Sequence, residues 1–313
     1  VRVLVTGGAG FIGSHLADAL VRRGDHVVVL DDLTTGYVEN IPPGARLVAG
    51  DVADPGMVAE AAEGVEVVFH LAASRAVLRS VQEPRATDRA NTGGTLNVLE
   101  SARHAGVRRV VFASSSSVYG GDAAVPTPEL AWPRPRSPYA VSKLAGEHYA
   151  RIYWELHRLE TVSLRLFNVY GPRQRPDSPY AAVIPRFIEA LAGARPPEVH
   201  GDGRQSRDFT YVEDAVAAFL GASAAPAERC AGRVYNVAGG REQTLLDLLA
   251  ALSRVLGVAI PARHVGPRPG DVRRSRADLA AAAADLDWGP TVDLDDGLGR
   301  TVAWFANRPQ NSP

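Results

Sequence analysis

Apolar residues appear first as a short unbroken run, Val3 to Val5, and again at His26 to Leu30, with an amphipathic stretch from Ser14 to Arg23 between them. Short apolar runs flanked by turn residues read as strands buried on both faces, and the 3.6-residue periodicity between them reads as a helix. The pattern therefore predicts a βαβ unit. Further apolar runs at Arg46 to Ala49, Val65 to Leu71, Arg109 to Ala113 and Thr161 to Leu166 alternate with helical stretches such as Gly93 to Ala105. That alternation predicts an α/β fold built on a doubly wound parallel sheet of the Rossmann type. A smaller α/β substrate-binding domain is expected from residues 171–207 and 240–313, with residues 1–170 and 208–239 forming the nucleotide domain. RDFTYVEDA and VYNVAGG are expected to return to the sheet. The run AAAADL near Ala281 reads as a surface helix, and the Pro-containing tail after Arg308 as a frayed end.

Glycines punctuate the first turn. Gly8, Gly10 and Gly13 match G-x-G-x-x-G, and Gly7, Gly10 and Gly13 repeat every third residue. Between a strand and a helix, such glycines allow a sharp turn, backbone approach to a pyrophosphate at the helix N-terminus, and close helix–strand packing. Asp31 and Asp32 follow the second strand, where a carboxylate meets the adenosine ribose and repels a 2′-phosphate, so NAD is expected over NADP. GDVAD (Gly50 to Asp54) and HLAA (His70 to Ala73) close two later strands on the same edge. His70 reads as a packed strand-end residue.

Composition narrows the partners. The chain of 313 residues is 46% hydrophobic and 22% charged, which suits a full core, and its net charge of −1 excludes a basic field for nucleic acid or an anionic membrane. No apolar run approaches the length of a membrane span. VRVLVTGG reads as a buried strand, not a signal peptide, and a cytoplasmic protein is expected. Cys230 is the lone cysteine, which argues for neither a disulfide framework nor a zinc site, and no metal is expected.

Of the 34 lysines and arginines, only Lys143 is a lysine. It lies in SPYAVSKLAGE, where Ser137 can cap a helix that begins at Pro138. Tyr139 and Lys143 then stand at i and i+4 on one helical face. A phenol acts as a base near neutrality only if its pKa falls from about 10 to about 7, which requires roughly 4 kcal/mol of preferential anion stabilisation. A nearby ammonium supplies part of this, and its thin stem also suits contact with ribose hydroxyls. Upstream, VVFASSSSVYG sets four serines, Ser114 to Ser117, at the end of a predicted strand.

These residues resemble the extended short-chain dehydrogenase/reductases, and within them the NAD-dependent UDP-sugar 4-epimerases. The resemblance covers nearly the whole chain: TGGAGFIG, LDDLTTG, GDVAD, HLAA, SSSSVYG, YAVSK, NVYGPRQ, GDGRQSRDFTYVEDA and RPGDVRRSRAD follow in that family's order. It implies an isomerase in which Tyr139 is the acid/base, Lys143 its partner and ribose ligand, and Ser115 the hydroxyl on the sugar O4. NAD would be held by Gly7, Gly10, Phe11, Ile12 and Gly13, by Asp31 and Asp32, by Asp51 and Val52, by Leu71, Ala72 and Ala73, by Asn91 and Ser114, and by Tyr139 and Lys143. The UDP-sugar would meet Ser115, Ser116, Ser117, Asn168, Val183, Arg207, Arg268 and Asp271. The resemblance also implies a homodimer through the helices near Asn91 to Ala105 and Tyr139 to His157. In the implied reaction the sugar is oxidised at C4, turns over as a 4-keto sugar, and is reduced on its other face, so that NAD is regenerated.

Related sugar dehydratases carry an Asp-Glu pair before VYG, and related decarboxylases a glutamate. Ser116 and Ser117 stand there, and a hydroxyl cannot relay a proton as a carboxylate does, so epimerisation without elimination is expected. The loop GPRQRPDSPYAAVIPRFI puts Arg175, Pro176 and Asp177 where glucose-type epimerases usually differ, similar to UDP-glucuronate 4-epimerases. Arg175, with Arg186 as a second candidate, is expected beside a sugar carboxylate. UDP-glucuronate to UDP-galacturonate is the leading expectation, with UDP-glucose/UDP-galactose or the N-acetyl sugars as the alternative.

Overall fold

Seven strands run parallel in one sheet: β1 (Arg2–Thr6), β2 (His26–Asp31), β3 (Arg46–Ala49), β4 (Val67–His70), β5 (Arg109–Ser115), β6 (Glu160–Leu166) and β7 (Arg233–Val237). The computed structural model describes residues 1–121, 123–175, 182–267 and 272–307. The order across the sheet is β7-β6-β5-β4-β1-β2-β3, so the winding reverses between β1 and β4. In an open α/β sheet, ligands bind beyond the carboxyl ends of the strands at such a reversal.

The helices of eight residues or more among the described residues are α1 (Phe11–Arg22), α2 (Pro55–Ala62), α3 (Gly94–His104), α4 (Pro138–His157), α5 (Val183–Ala192), α6 (Val212–Ala224), α7 (Leu245–Leu256) and α8 (Leu294–Ala306). α1 and α6 cover one face of the sheet, packing Leu16, Leu20 and Phe219 against Val3, Val5, Phe69 and Val111. α2, α3 and α4 cover the other, with Val58, Leu99 and Tyr153 against Leu4, Leu30, Val68 and Val110. Each fully buried side chain of this size contributes roughly 1.5–3 kcal/mol. A third cluster joins Phe187 and Leu191 of α5, Leu248 and Leu252 of α7, and Leu298 of α8 to Phe11, Tyr170, Phe209 and Tyr211.

Two expectations change. α1 begins at Phe11 and not at Ser14, because Gly10 adopts extended backbone as N-cap and its carbonyl accepts the Ser14 N–H at 3.0 Å. RDFTYVEDA does not rejoin the seven-stranded sheet as a strand: Ser206–Asp208 pair with Glu242–Thr244 and Thr210–Tyr211 with Val169–Tyr170 in separate two-stranded sheets, and it is the helix α6 that packs on the sheet. The AAAADL stretch is a surface helix, Ala280–Leu286, with Ala283 and Ala284 exposed and Ala282 and Leu286 buried against the α1/α6 face of the sheet. They stand at i and i+4, and Trp288, two residues on, anchors the segment by donating Nε1–H to the Asp214 carbonyl at 3.0 Å. The tail after Arg308 lies outside the described residues.

The β1–α1 turn sets the tightest packing. A Cβ on Gly13 would stand 2.1 Å from the Gly7 carbonyl oxygen, and one on Gly7, whose φ is +73°, would stand 2.8 Å from the Ala72 nitrogen. Backbone on both sides leaves nothing that can yield. At Gly106, with φ +70° and open space around it, the only penalty of a Cβ is the left-handed backbone, about 1–2 kcal/mol. Gly13→Ala is therefore expected to lower the melting temperature well beyond Gly106→Ala and to abolish NAD retention; equal melting temperatures for the two variants would show that the turn tolerates a Cβ.

Candidate active site

The cofactor side of the site grows from the carboxyl ends of β1, β2 and β4. The Gly7 N–H donates to the Leu30 carbonyl at 2.8 Å, which ties the turn to β2. Gly10 caps α1 without a side chain, so the first-turn amides of Phe11, Ile12 and Gly13 are available to a phosphate. The uncapped terminus and the space kept clear of Cβ atoms at Gly7 and Gly13 fit a dinucleotide pyrophosphate. Asp31 accepts the Ala9 N–H at Oδ2 and the Leu33 N–H at Oδ1, both at 2.9 Å, and is 7% exposed. Burial pushes its carboxyl up, while those two amides pull it down. Asp32 accepts from the Thr34 backbone N–H and hydroxyl. The two carboxylates thus shape the loop after β2, which also returns Tyr37 N–H and Asn40 Nδ2 to the Ala9 carbonyl, each at 3.1 Å.

Asp51 accepts the Ala53 N–H at 2.8 Å and pairs with Arg89 at 3.3 Å, and Val52 packs on Gly94. After β4, the Leu71 N–H donates to the Thr6 carbonyl and the Ala72 N–H to the Thr6 hydroxyl, with Ala73 following. Asn91 clamps the next residue: Oδ1 accepts the Ser74 N–H at 2.7 Å, and Nδ2 donates to the Ser74 carbonyl and to the Ser142 hydroxyl on α4. His70 is a packing residue, held between the Thr6 and Thr95 hydroxyls at 2.7 and 3.0 Å and stacked on Phe112. Burial pushes its imidazole down to about 3, so it is neutral near pH 7.

The catalytic candidates converge from β5 and α4. Ser137 caps α4 by accepting the Ala140 N–H at 3.1 Å, with Pro138 as the first helical residue. Ser115 accepts the Ser117 N–H at 3.2 Å and the Ser117 hydroxyl at 2.9 Å. With both lone pairs engaged, the Ser115 Oγ–H is left as a donor on the side of Tyr139, whose phenol it pulls down. Burial pushes the Tyr139 phenol up; the Ser115 bond and the Arg75 guanidinium pull it down. Lys143 is buried, donates Nζ–H to the Ala113 carbonyl at 2.8 Å and lies 4.9 Å from the centre of the Phe112 ring. Burial pushes its ammonium down to about 7 against the pull of Glu147. The cation whose field reaches the phenol here is Arg75, on the loop after β4. Sequence reasoning missed it because tertiary contacts, the Asn91–Ser74 clamp among them, bring that loop to α4.

The other candidates are more dispersed. Ser114 donates its hydroxyl to Glu147, and Ser116 and Ser117 begin a short 3₁₀ turn. Asn168, at φ +21°, donates Nδ2–H to the Asp208 carbonyl at 3.3 Å. Val183 is the first residue of α5. Arg207 donates to the Ser206 and Val272 carbonyls. Arg175 lies over the Tyr37 ring at 4.8 Å and reaches the Thr35 carbonyl at 3.5 Å, and Arg186 pairs with Glu198 at 3.4 Å. Arg268, Asp271, Pro176 and Asp177 lie outside the described residues. Among the described residues, no cluster of His, Cys, Asp and Glu could hold a metal ion, and no helix is long and apolar enough to cross a membrane.

The sequence model of the NAD dependent epimerase/dehydratase family matches residues 3–238. The chain belongs to that family. Its cofactor is NAD. A UDP-glucose 4-epimerase of Mycolicibacterium smegmatis is 42% identical over 99% of this chain and 100% of its own. The crystal structure of UDP-glucose 4-epimerase from Thermotoga maritima with UDP-glucose superposes with a TM-score of 0.94 at 37% identity, covering 98% of this chain and 99% of that one. UDP-glucuronic acid 4-epimerase from Bacillus cereus, solved with a UDP-4-deoxy-4-fluoro-glucuronic acid and NAD, gives 0.90 at 32% identity over 98% and 99%. This epimerase/dehydratase therefore resembles both sugar and uronate enzymes along its full length.

Proposed function

We propose that this isomerase is a UDP-glucose 4-epimerase, interconverting UDP-glucose and UDP-galactose through a transient 4-keto sugar. The observation that carries the reading is the convergence of Ser115, at the end of β5, on Tyr139 in the first turn of α4, with hydroxyls at 116 and 117 and not the carboxylates that elimination needs. NAD, when bound, supplies the hydride acceptor for C4, and the first-turn amides of α1 are the groups suited to its pyrophosphate. Tyr139 takes the proton of the 4-hydroxyl and later returns one. Ser115 orients toward the same oxygen, so that negative charge developing on Tyr139 meets a donor already in place. Lys143, behind Tyr139 on α4, adds positive field to the pair. Arg207 is suited to the diphosphate.

The loop signature led to UDP-glucuronate, and the geometry of its arginines favours the glucose alternative. Arg175 lies over Tyr37 on the loop after β2, and Arg186 pairs with Glu198. The relative of highest identity reported above is a UDP-glucose enzyme. A uronate reading keeps one observation in its favour, the field of Arg175 on Arg75, which itself faces Tyr139.

The exposed faces of α4 and of the short helix Val77–Gln82 carry apolar side chains, Val141, Ile152 and Leu156 on the first and Val77, Leu78 and Val81 on the second. We infer that these two helix faces are the contact of a homodimer, since large apolar side chains exposed in number on neighbouring helices are suited to burial against a second copy.

Three outcomes are expected. Given UDP-glucose, UDP-N-acetylglucosamine and UDP-glucuronate separately, the purified protein turns over UDP-glucose with the highest kcat/KM; preference for UDP-glucuronate would reinstate the carboxylate role of Arg175. Tyr139→Phe lowers turnover about 10²–10⁴-fold with NAD still bound, and wild-type turnover in that variant would refute the assignment of the acid/base. Sedimentation gives the mass of two chains for the wild type and of one for Leu156→Glu; a single-chain mass for the wild type would remove the dimer.

A further inference from the structure

Behind the Tyr139–Lys143 pair lies a set of buried charges that the reaction as described does not use. Glu147 and Arg165 are each 4% exposed, as is Lys143. Arg165 meets Glu147 with both edges of its fork, Nε to Oε1 at 2.9 Å and Nη2 to Oε2 at 2.7 Å. Its remaining amine, Nη1, donates to the Tyr119 hydroxyl at 2.8 Å and the Glu129 carbonyl at 3.0 Å. Tyr119 passes its own proton to Asn236 Oδ1 at 2.7 Å, and burial pushes its phenol up to about 12, so it adds no second anion. Ser114, one residue before the catalytic serine, donates its hydroxyl to Glu147. The carboxylate is thus fixed from β5 by Ser114 and from β6 by Arg165, while it stands on α4 one turn beyond Lys143.

A buried ion pair by itself is weak evidence of stabilisation. The position of this one is more informative. Tyr139, Lys143 and Glu147 follow at i, i+4 and i+8 along one stripe of α4. Among the described residues, the Lys143 ammonium has a single neutral hydrogen-bond acceptor, the Ala113 carbonyl, and an aromatic face, Phe112. A buried ammonium so poorly solvated tends to lose its proton. The titratable groups facing it are Tyr139 and Glu147 on its own helix and His70 from β4, with Arg165 of β6 engaged by Glu147. Tyr139 is protonated and His70 neutral near pH 7, which leaves Glu147 as the nearby anion.

We propose that Glu147 is a positioning residue for catalysis: its carboxylate, locked by Arg165 and Ser114, keeps Lys143 an ammonium so that a positive charge stands behind Tyr139. This rests on the roles given to Tyr139 and Lys143 above. The direction of the Glu147 effect, which raises the Lys143 pKa against burial, agrees with it.

Because Lys143 is the only lysine, protein grown on [ε-¹³C]lysine has one lysine resonance, and its pH titration reads this ammonium directly. The purified enzyme with its NAD is titrated as wild type, as Glu147→Gln, and as the double variant Glu147→Gln/Arg165→Met, which does not strand the Arg165 guanidinium without its carboxylate; a thermal melt checks that each variant is folded. The expected result is a Lys143 midpoint lower by about one to three pH units in both variants. Loss of turnover on raising the pH should move down with it. A purely structural Glu147 would lower stability and leave the midpoint where it is, and an unmoved midpoint in the folded double variant overturns the proposal. The two readings fail separately: a moved midpoint in a protein that never turns over UDP-sugars sinks the epimerase, whereas an unmoved midpoint in an active enzyme sinks only the role of Glu147.

Discussion

The approach of the α1 N-terminus to the end of β1 constrains everything else at the ligand edge. Gly13 faces the Gly7 carbonyl across a gap that excludes a single carbon, and Gly7 in turn faces the backbone of Ala72. With this contact made, α1 lies close enough to bury Leu16, Ala17 and Leu20 on the sheet. The Gly7 N–H fastens the turn to Leu30, and the Ala9 amide and carbonyl gather Asp31, Tyr37 and Asn40 around the same point. Backbone amides therefore face the winding reversal of the sheet as a rigid surface, with no side chain to be ordered when a diphosphate arrives.

Around that surface, buried polar side chains set the spacing between elements. His70 bridges β1 and α3 through Thr6 and Thr95, and Asn91 bridges the loop after β4 to α4. Each such group is costly to leave unpaired, so these bonds select one arrangement of neighbouring strands and helices. Ser115, the candidate partner of Tyr139, depends on the same economy of partners: Ser117 fills its lone pairs and leaves its proton on the side of the phenol, which it pulls down. The phenol is protonated in this environment because burial outweighs the donor and the cation near it. The positive field that reaches it comes from Arg75, on the loop after β4.

Much of this was legible in the order of residues. The sheet could be read because its strands are uninterrupted apolar runs joined by amphipathic helices. The placement of the candidate residues could be read because it was local: glycines in one turn, Tyr139 and Lys143 one helical turn apart, serines at the end of β5, with Ser137 and Pro138 marking where α4 starts. What was missed or left open was non-local. The strands of RDFTY pair with Val169–Tyr170 and Glu242–Thr244 and not with the main sheet, and nothing beside them names those partners. Arg175 was expected beside a carboxylate because its neighbours resemble a loop that has one, and its stem carries it over Tyr37. Arg75 and Glu147 were passed over because neither stands in a pattern that names its partner.

By itself, then, the sequence determined the βαβ alternation, the glycine turn and the placing of Tyr139 and Lys143 one turn apart on α4, each a matter of backbone geometry within a few residues. Only the tertiary structure decided where the long cationic side chains end and which charges face one another. A guanidinium on a flexible stem takes its direction from partners far along the chain, as Arg175 does from Thr35 at a separation of 140 residues. A buried carboxylate such as Glu147 likewise acquires its meaning from Arg165 and Ser114, which reach it from two different strands.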